Sequence, residues 1–371
     1  MEHIAKHALR LLEATCLAGV LIFATLLILY SQSPLQAAQH RAVENKYIAA
    51  KNILPESGTY HGAVIHLEQV DAFECMVGKQ LKVIKVYQFF KDDDFYQNWA
   101  DFIYDQGAIE FLSFDPVVSD TITIICNGKE ITASRTLHPD EVLSGAYDEV
   151  IERFASHIKA WGHPLILSFA GEMNGCWCPP VNWQGCYNDP NSPQKYIQMY
   201  RYVHDKFKAM GADNVTWAWV VNHKSLPDEA WNQVDNYYPG DSYVDIISVD
   251  GYNWGDDELG GWKTFNQIFS TTLTSLSNSY PTKPLMLGEF ASVEDTNPMS
   301  KANWITDAYG HIKTDWPQIK AALWFNFPGE WSFPVESSPE SIRAYREAIA
   351  DPHFIGERVC YIYLPVVIKA N

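Results

Sequence analysis

Leu165-Ile166-Leu167-Ser168-Phe169-Ala170-Gly171-Glu172 is an apolar, strand-like run that ends on a carboxylate. Pro284-Leu285-Met286-Leu287-Gly288-Glu289 repeats the arrangement, 289 − 172 = 117 residues later. An ionisable group directly after such a run is seldom buried without a role. If both runs are strands of a parallel sheet, both carboxyls stand at the carboxyl ends of strands, where parallel α/β folds build their active sites.

Six further runs share this character. Ala63–Leu67, Leu81–Phe89, Ile109–Phe114, Val215–Val221, Val244–Val249 and Ala321–Phe327 join the two above, and the total is eight. Several are continuously apolar rather than alternating, as expected of strands covered on both faces. Helix-like segments separate most of them: Asp92–Gln106, Glu141–Trp161, Ser192–Met210, Trp262–Leu276, Met299–Ile312 and Pro339–Ile349. Phe95, Trp99, Phe102 and Ile103 fall at helical spacing in the first of these. Ser192-Pro193 reads as an N-cap followed by proline at the first helical position, and Gly211 as the stop. Eight strands alternating with helices predict an α/β protein with a (β/α)8 TIM barrel as its single catalytic domain. The rival, a doubly wound open sheet, lacks a Gly-x-Gly-x-x-Gly turn after the first strand.

The sequence divides into four parts. Residues 1–38 have the order of a signal peptide or N-terminal anchor: Lys6 and Arg10, the apolar run Ala14–Tyr30, then a polar stretch ending in Ala37-Ala38. Residues 39–58 read as a linker, 59–352 as the barrel, and 353–371 as a tail with the short apolar β-like segment Tyr361–Lys369. Export to the extracellular space or cell surface is the expectation, with either terminus offering a route of attachment to membrane or surface. Cys16 lies in the export segment, leaving Cys75, Cys126, Cys176, Cys178, Cys186 and Cys360. An even number in an exported chain suggests disulfides. Cys176, Cys178 and Cys186 have too tight a spacer and no fourth ligand for zinc, so no metal is expected. A loop-stapling bridge to Cys186 is the better reading.

The net charge of −18 argues against nucleic acid, whose phosphates demand a basic surface, and against polyanionic substrates. Removing residues 1–38 deletes two basic and two acidic side chains and leaves the charge unchanged. Neutral polysaccharide fits. The 14% aromatic content suits a sugar cleft, where ring faces stack on pyranose C–H faces, although most rings in any protein are core. Two convergent carboxylates match the acid and the nucleophile of glycoside hydrolysis. Asp250-Gly251-Tyr252-Asn253-Trp254 follows the sixth strand, and a tyrosine hydroxyl there could hold a nucleophile ionised. Trp324 in the eighth strand could floor a subsite, and Asn222 ends the fifth.

These stretches together resemble glycoside hydrolase family 26. The matching segments are Tyr147 to Asn174, Gly175-x-Trp177, Tyr238-Pro239-Gly240-Asp241, Val249–Trp254, Lys283–Phe290 and Trp324-Phe325-Asn326, in order between about residues 60 and 352. The resemblance implies a barrel of retaining β-glycanases that needs no cofactor. It implies Glu172 as acid/base, Glu289 as nucleophile, Tyr252 touching the nucleophile, Trp324 as the platform beneath the cleaved sugar, and Trp177 in the cleft. Asn174, Asp250, Trp254 and Asn222 complete the expected substrate-binding set. The expected activity is that of a monomeric endo-1,4-β-mannanase, with a mixed-linkage endo-β-glucanase as the alternative.

Three positions depart from the family pattern. Gly171 stands where a histidine usually precedes the acid/base; Cys178-Pro179-Pro180 replaces an aromatic-Pro-Trp run; Phe114-Asp115-Pro116-Val117 replaces Trp-Glu-Pro-Trp. These losses motivate a competing reading, a non-catalytic carbohydrate-binding protein on a decayed barrel.

Overall fold

In a computed structural model of the chain, the described residues are 53–126, 129–175, 190–255, 260–296, 300–329 and 331–359. Eleven strands are seen among them: β1 (Thr59–Val64), β2 (Val83–Phe89), β3 (Ile109–Asp115), β4 (Val117–Cys126), β5 (Lys129–Thr136), β6 (Leu165–Phe169), β7 (Val215–Asn222), β8 (Ile246–Asn253), β9 (Leu285–Ser292), β10 (Ile319–Phe325) and β11 (Phe354–Ile355). The helices are α1 (Val70–Val77), α2 (Gln97–Asp105), α3 (Pro139–Leu143), α4 (Asp148–Trp161), α5 (Ser192–Met210), α6 (Phe265–Ser279), α7 (Ser300–Thr314) and α8 (Pro339–Ile349).

The order β1-β2-β3-β6-β7-β8-β9-β10 is parallel throughout and closes by pairing β10 with β1. All eight expected strands therefore have a counterpart in one barrel, though the first runs over Thr59–Val64 rather than Ala63–Leu67, since Leu67 opens a 3-10 turn, Leu67–Gln69. Alternation sorts their side chains into two cores. Val64, Val83, Phe111, Ile166, Met286 and Leu323 fill the barrel interior. The alternate residues, among them Leu112, Leu167, Trp219, Val249 and Leu287, pack outward against the helices.

Three differences from the sequence reading have local causes. The expected helix Glu141–Trp161 is two helices, because Gly145 adopts φ 81 between α3 and α4; that left-handed turn suits a residue without Cβ. Asn191, not Ser192, occupies the N-cap of α5, so Pro193 falls one position deeper. An antiparallel hairpin, β4–β5, leaves the barrel directly after β3 and forms a sheet of its own. Beyond α8, β11 lies parallel beside β1, and the backbones of Lys79 and Arg358 form an isolated antiparallel β-bridge. Cys75 is a free thiol. The export segment, most of the linker, Trp177, Cys176, Cys178, Cys186, Cys360 and the segment Tyr361–Lys369 lie outside the described residues.

Candidate active site

A cavity of about 280 Å³ opens at the carboxyl ends of the strands, lined by Lys85, Tyr87, Phe89, Ser113, Asp115, Gly171, Glu172, Val220, Asp250 and Glu289. Both sequence-predicted glutamates face it.

Glu289 reaches the cavity through an irregularity in β9. Leu287 pairs with Val249, but the next pair is Glu289 with Asp250, so Gly288 is an extra residue. A bulge of this kind re-aims the side chain that follows it. Without it, strict alternation from Met286 would send Glu289 outward into the helix layer. Gly288 tolerates no side chain: a Cβ there would stand 2.4 Å from Ser248 Oγ and 2.7 Å from Asp250 Oδ1.

Three donors hold the Glu289 carboxylate. Lys85 Nζ and Tyr87 Oη donate to Oε1 at 2.5 and 2.7 Å, and Tyr252 Oη donates to Oε2. Burial alone pushes this carboxyl up, but the Lys85 charge and the hydrogen bonds from Lys85, Tyr252 and Tyr87 outweigh it and hold Glu289 below the usual glutamate range. It is therefore an anion at neutral pH.

Glu172 is presented by a strained turn. Ala170 (φ 49) and Glu172 (φ 54) both take left-handed backbone on either side of Gly171. Such conformations cost non-glycine residues about 1–3 kcal/mol each and persist where the surroundings enforce them. Here the Glu172 N–H donates to Val220 O at 2.9 Å, and the Gly175 N–H donates to Glu172 O at 2.9 Å. Asn222 Nδ2 donates to Glu172 Oε1 at 2.6 Å and fixes the carboxyl.

Two more acids line the cavity. Burial together with Glu289 and Glu172 holds Asp250 well above the aspartate range, although Lys85 Nζ lies 3.4 Å from its Oδ2. Burial also pushes Asp115 up to about 6, against the Lys85 charge and hydrogen bonds from Ser113 and the Gly171 N–H. His223, behind Gly251, is lowered by burial to about 4 and stays neutral.

The remaining expected residues divide. Tyr252 and Trp254 sit in an aromatic wall beside Glu289: their rings are 5.1 Å apart, Trp254 meets Trp331 at 5.2 Å, and Tyr252 meets Phe325 at 5.5 Å. Asn174 is fully buried and does not line the cavity. It clamps the chain after β7 by donating to Asn222 O and Ser225 Oγ and by accepting from the Asn222 N–H. Trp324 is also fully buried on the outward side of β10, between Phe290, Trp304 and Tyr345, with its indole N–H on Phe333 O. Its neighbour Phe325 takes the inward position and packs against the inner core.

Sequence reasoning missed Lys85, Tyr87, Ser113 and Asp115. The available signal was a lysine and a tyrosine at alternate positions within an apolar strand, Val83-Ile84-Lys85-Val86-Tyr87. Among the described residues no group of three His, Cys, Asp or Glu side chains is arranged to hold a metal ion.

The family model described as "Glycosyl hydrolase family 26" matches residues 121–286. The chain is 33% identical to Endoglucanase H of Acetivibrio thermocellus over 298 residues, which is 79% of this chain and 30% of that protein. It is 26% identical to a mannan endo-1,4-beta-mannosidase of Bacillus subtilis over 124 residues, 31% of this chain and 32% of that protein. The chain thus spans about a third of the length of the curated relatives it matches. The β-mannanase BoMan26A of Bacteroides ovatus has the same fold, with a TM-score of 0.60 at 16% identity, covering 83% of this chain and 92% of that one. Barrel, strand-end glutamates and relatives agree, and the chain belongs to glycoside hydrolase family 26.

Proposed function

We propose that the chain is an exported, retaining endo-β-glycanase that cuts a neutral β-linked polysaccharide. The observation that carries this reading is the Glu289 carboxylate, held as an anion by three donors in a cavity that also contains Glu172. Glu289 attacks the anomeric carbon while Glu172 protonates the departing glycosidic oxygen. The C1–O bond breaks and a glycosyl ester forms. Glu172 then takes a proton from water, which attacks C1 and frees Glu289. The aromatic wall of Tyr252, Trp254 and Trp331 offers faces for the sugar rings.

For the substrate, the similarity to Endoglucanase H extends over 298 residues, against 124 for the mannosidase. A β-glucan of mixed linkage is therefore placed first here, reversing the order given by sequence motifs alone. Mannan is the second reading, favoured by the mannosidase relative and the BoMan26A fold. Export rests on the composition of residues 1–38, and action as a monomer is part of the same proposal.

The test compares reducing ends released from barley-type β-glucan and from galactomannan. Hydrolysis with the β-anomer as first product, abolished in E289A and E172A, supports the reading. Near-normal turnover by E289A refutes the assignment of the nucleophile. Saturable glycan binding without product on any β-glycan points to the non-catalytic alternative.

A further inference from the structure

Four carboxyls line the cavity: Asp115, Glu172, Asp250 and Glu289. Among the described residues lining it, Lys85 is the only cation. Its side chain is 2% exposed, and its ammonium lies 2.5 Å from Glu289 Oε1 and 3.4 Å from Asp250 Oδ2. Burying an ammonium is costly unless a counter-charge offsets it, and one ammonium balances one carboxylate. Four acids therefore compete for a single compensating charge, and geometry decides the outcome.

We propose that Lys85 is a positioning residue that assigns the cavity's negative charge to Glu289 and so keeps the nucleophile ionised in acid solution. The proposal rests on the reading of Glu289 as nucleophile and deepens it. Glu289 has the shorter contact and two tyrosine donors besides; Asp250 has the longer one, and its Oδ1 has no hydrogen-bond partner. Every titratable group around Lys85 is consistent with this division. Burial opposes charge on Lys85, yet Asp250, Glu289 and Glu172 hold its ammonium above the usual lysine range. Burial keeps Tyr87 and Tyr252 protonated as donors. Asp250 and Asp115 are both raised, and only Glu289 is lowered. The Lys85 ammonium also lies over the Phe111 ring, 4.9 Å from its centroid, a contact that favours the charged form.

The experiment uses 2,4-dinitrophenyl β-cellobioside, or the β-mannobioside if the polysaccharide panel selects mannan. Its leaving group departs without a proton, so the acid limb of kcat/KM reports the nucleophile alone. In the wild type this limb is expected below the ordinary glutamate value of about 4.3. In K85M it should move up by about one to three pH units, a loss of at least tenfold near pH 4 beyond any change at the plateau. K85R, which keeps the charge, should return the limb towards the wild-type position. A wild-type limb at or above the ordinary value, or a K85M limb that coincides with wild type, overturns the proposal. E289A separates this from the underlying reading: if E289A still hydrolyses the aryl glycoside, the nucleophile assignment itself fails, whatever K85M shows.

Discussion

Replacing Gly288 by alanine adds one methyl group to the barrel, and the structure allows its effect to be worked out. The new Cβ would stand 2.4 Å from Ser248 Oγ and 2.7 Å from Asp250 Oδ1, against an ordinary contact of 3.4 Å. The overlaps are 3.4 − 2.4 = 1.0 Å and 3.4 − 2.7 = 0.7 Å. Neither oxygen is the loose end of a flexible side chain. Ser248 is fully buried, and Asp250 is buried beside Lys85. Relief must come from β9, whose next residue is Glu289. Overpacking of this kind costs about 1–3 kcal/mol, or roughly 5 °C in Tm for a domain of this size. A shift of the carboxylate by ~1 Å costs about 100-fold in rate. G288A should therefore melt a few degrees lower and lose about 100-fold in kcat for reducing-end release. Gly310, on the exposed face of α7 with nothing within 4 Å of its Cβ position, is the control. G310A should keep full activity and gain up to about 1 kcal/mol in stability. A folded G288A enzyme with wild-type kcat would show that the bulge does not set the working position of Glu289.

Three further outcomes are expected. N222A removes the donor to Glu172 Oε1, so kcat/KM on polysaccharide should fall about 10- to 100-fold, while the dinitrophenyl glycoside, which needs no acid, is spared; equal losses on both substrates would contradict this. Glu110, buried on the outward face of β3, is pushed up to about 8 by burial. Its folded value lies above its unfolded one, so the folded state holds the extra proton. Stability should therefore fall as pH rises from about 5 to 8, by up to about 1.4 kcal/mol per unit, and urea titrations of E110Q should lack that slope. Lys301, fully buried at the start of α7, donates to the carbonyls of Ser332, Phe333 and Pro334 and to Ser337 Oγ. K301M leaves these acceptors unpaired and should cost about 3 kcal/mol, with faster proteolysis near Trp331; an unchanged melting curve would show that Lys301 does not hold this segment.

The barrel was legible because its strands are covered on both faces and therefore read as unbroken apolar runs. What periodicity could not supply was which residues of a run face inward. Trp324 and Phe325 are adjacent and both aromatic, and a one-residue choice of register sends one to the helices and the other to the cleft. Glu289 was found from its strand-end position, yet its inward aim depends on the bulge at Gly288, which a two-residue repeat does not reveal. Lys85 and Tyr87 were hidden inside a strand, and the carboxylates they meet, Asp250 and Glu289, come from β8 and β9, 165 to 204 residues later. The hairpin was more accessible. Val117–Cys126 and Lys129–Thr136 are rich in β-branched residues, and the sequence between them is Asn127-Gly128, a strong turn signal.

Closure of the barrel places a demand on the order of assembly. Tyr60 pairs with Ala321, and the Thr59 hydroxyl donates to Ile319 O across 260 residues. During synthesis, β1 and the strands after it must wait, with a bare edge at each flank, until β10 has left the ribosome. Such edges are templates for pairing with other chains. Shielding of the nascent chain matters most over that interval, and a fragment ending before residue 319 would keep both edges permanently and be prone to self-association.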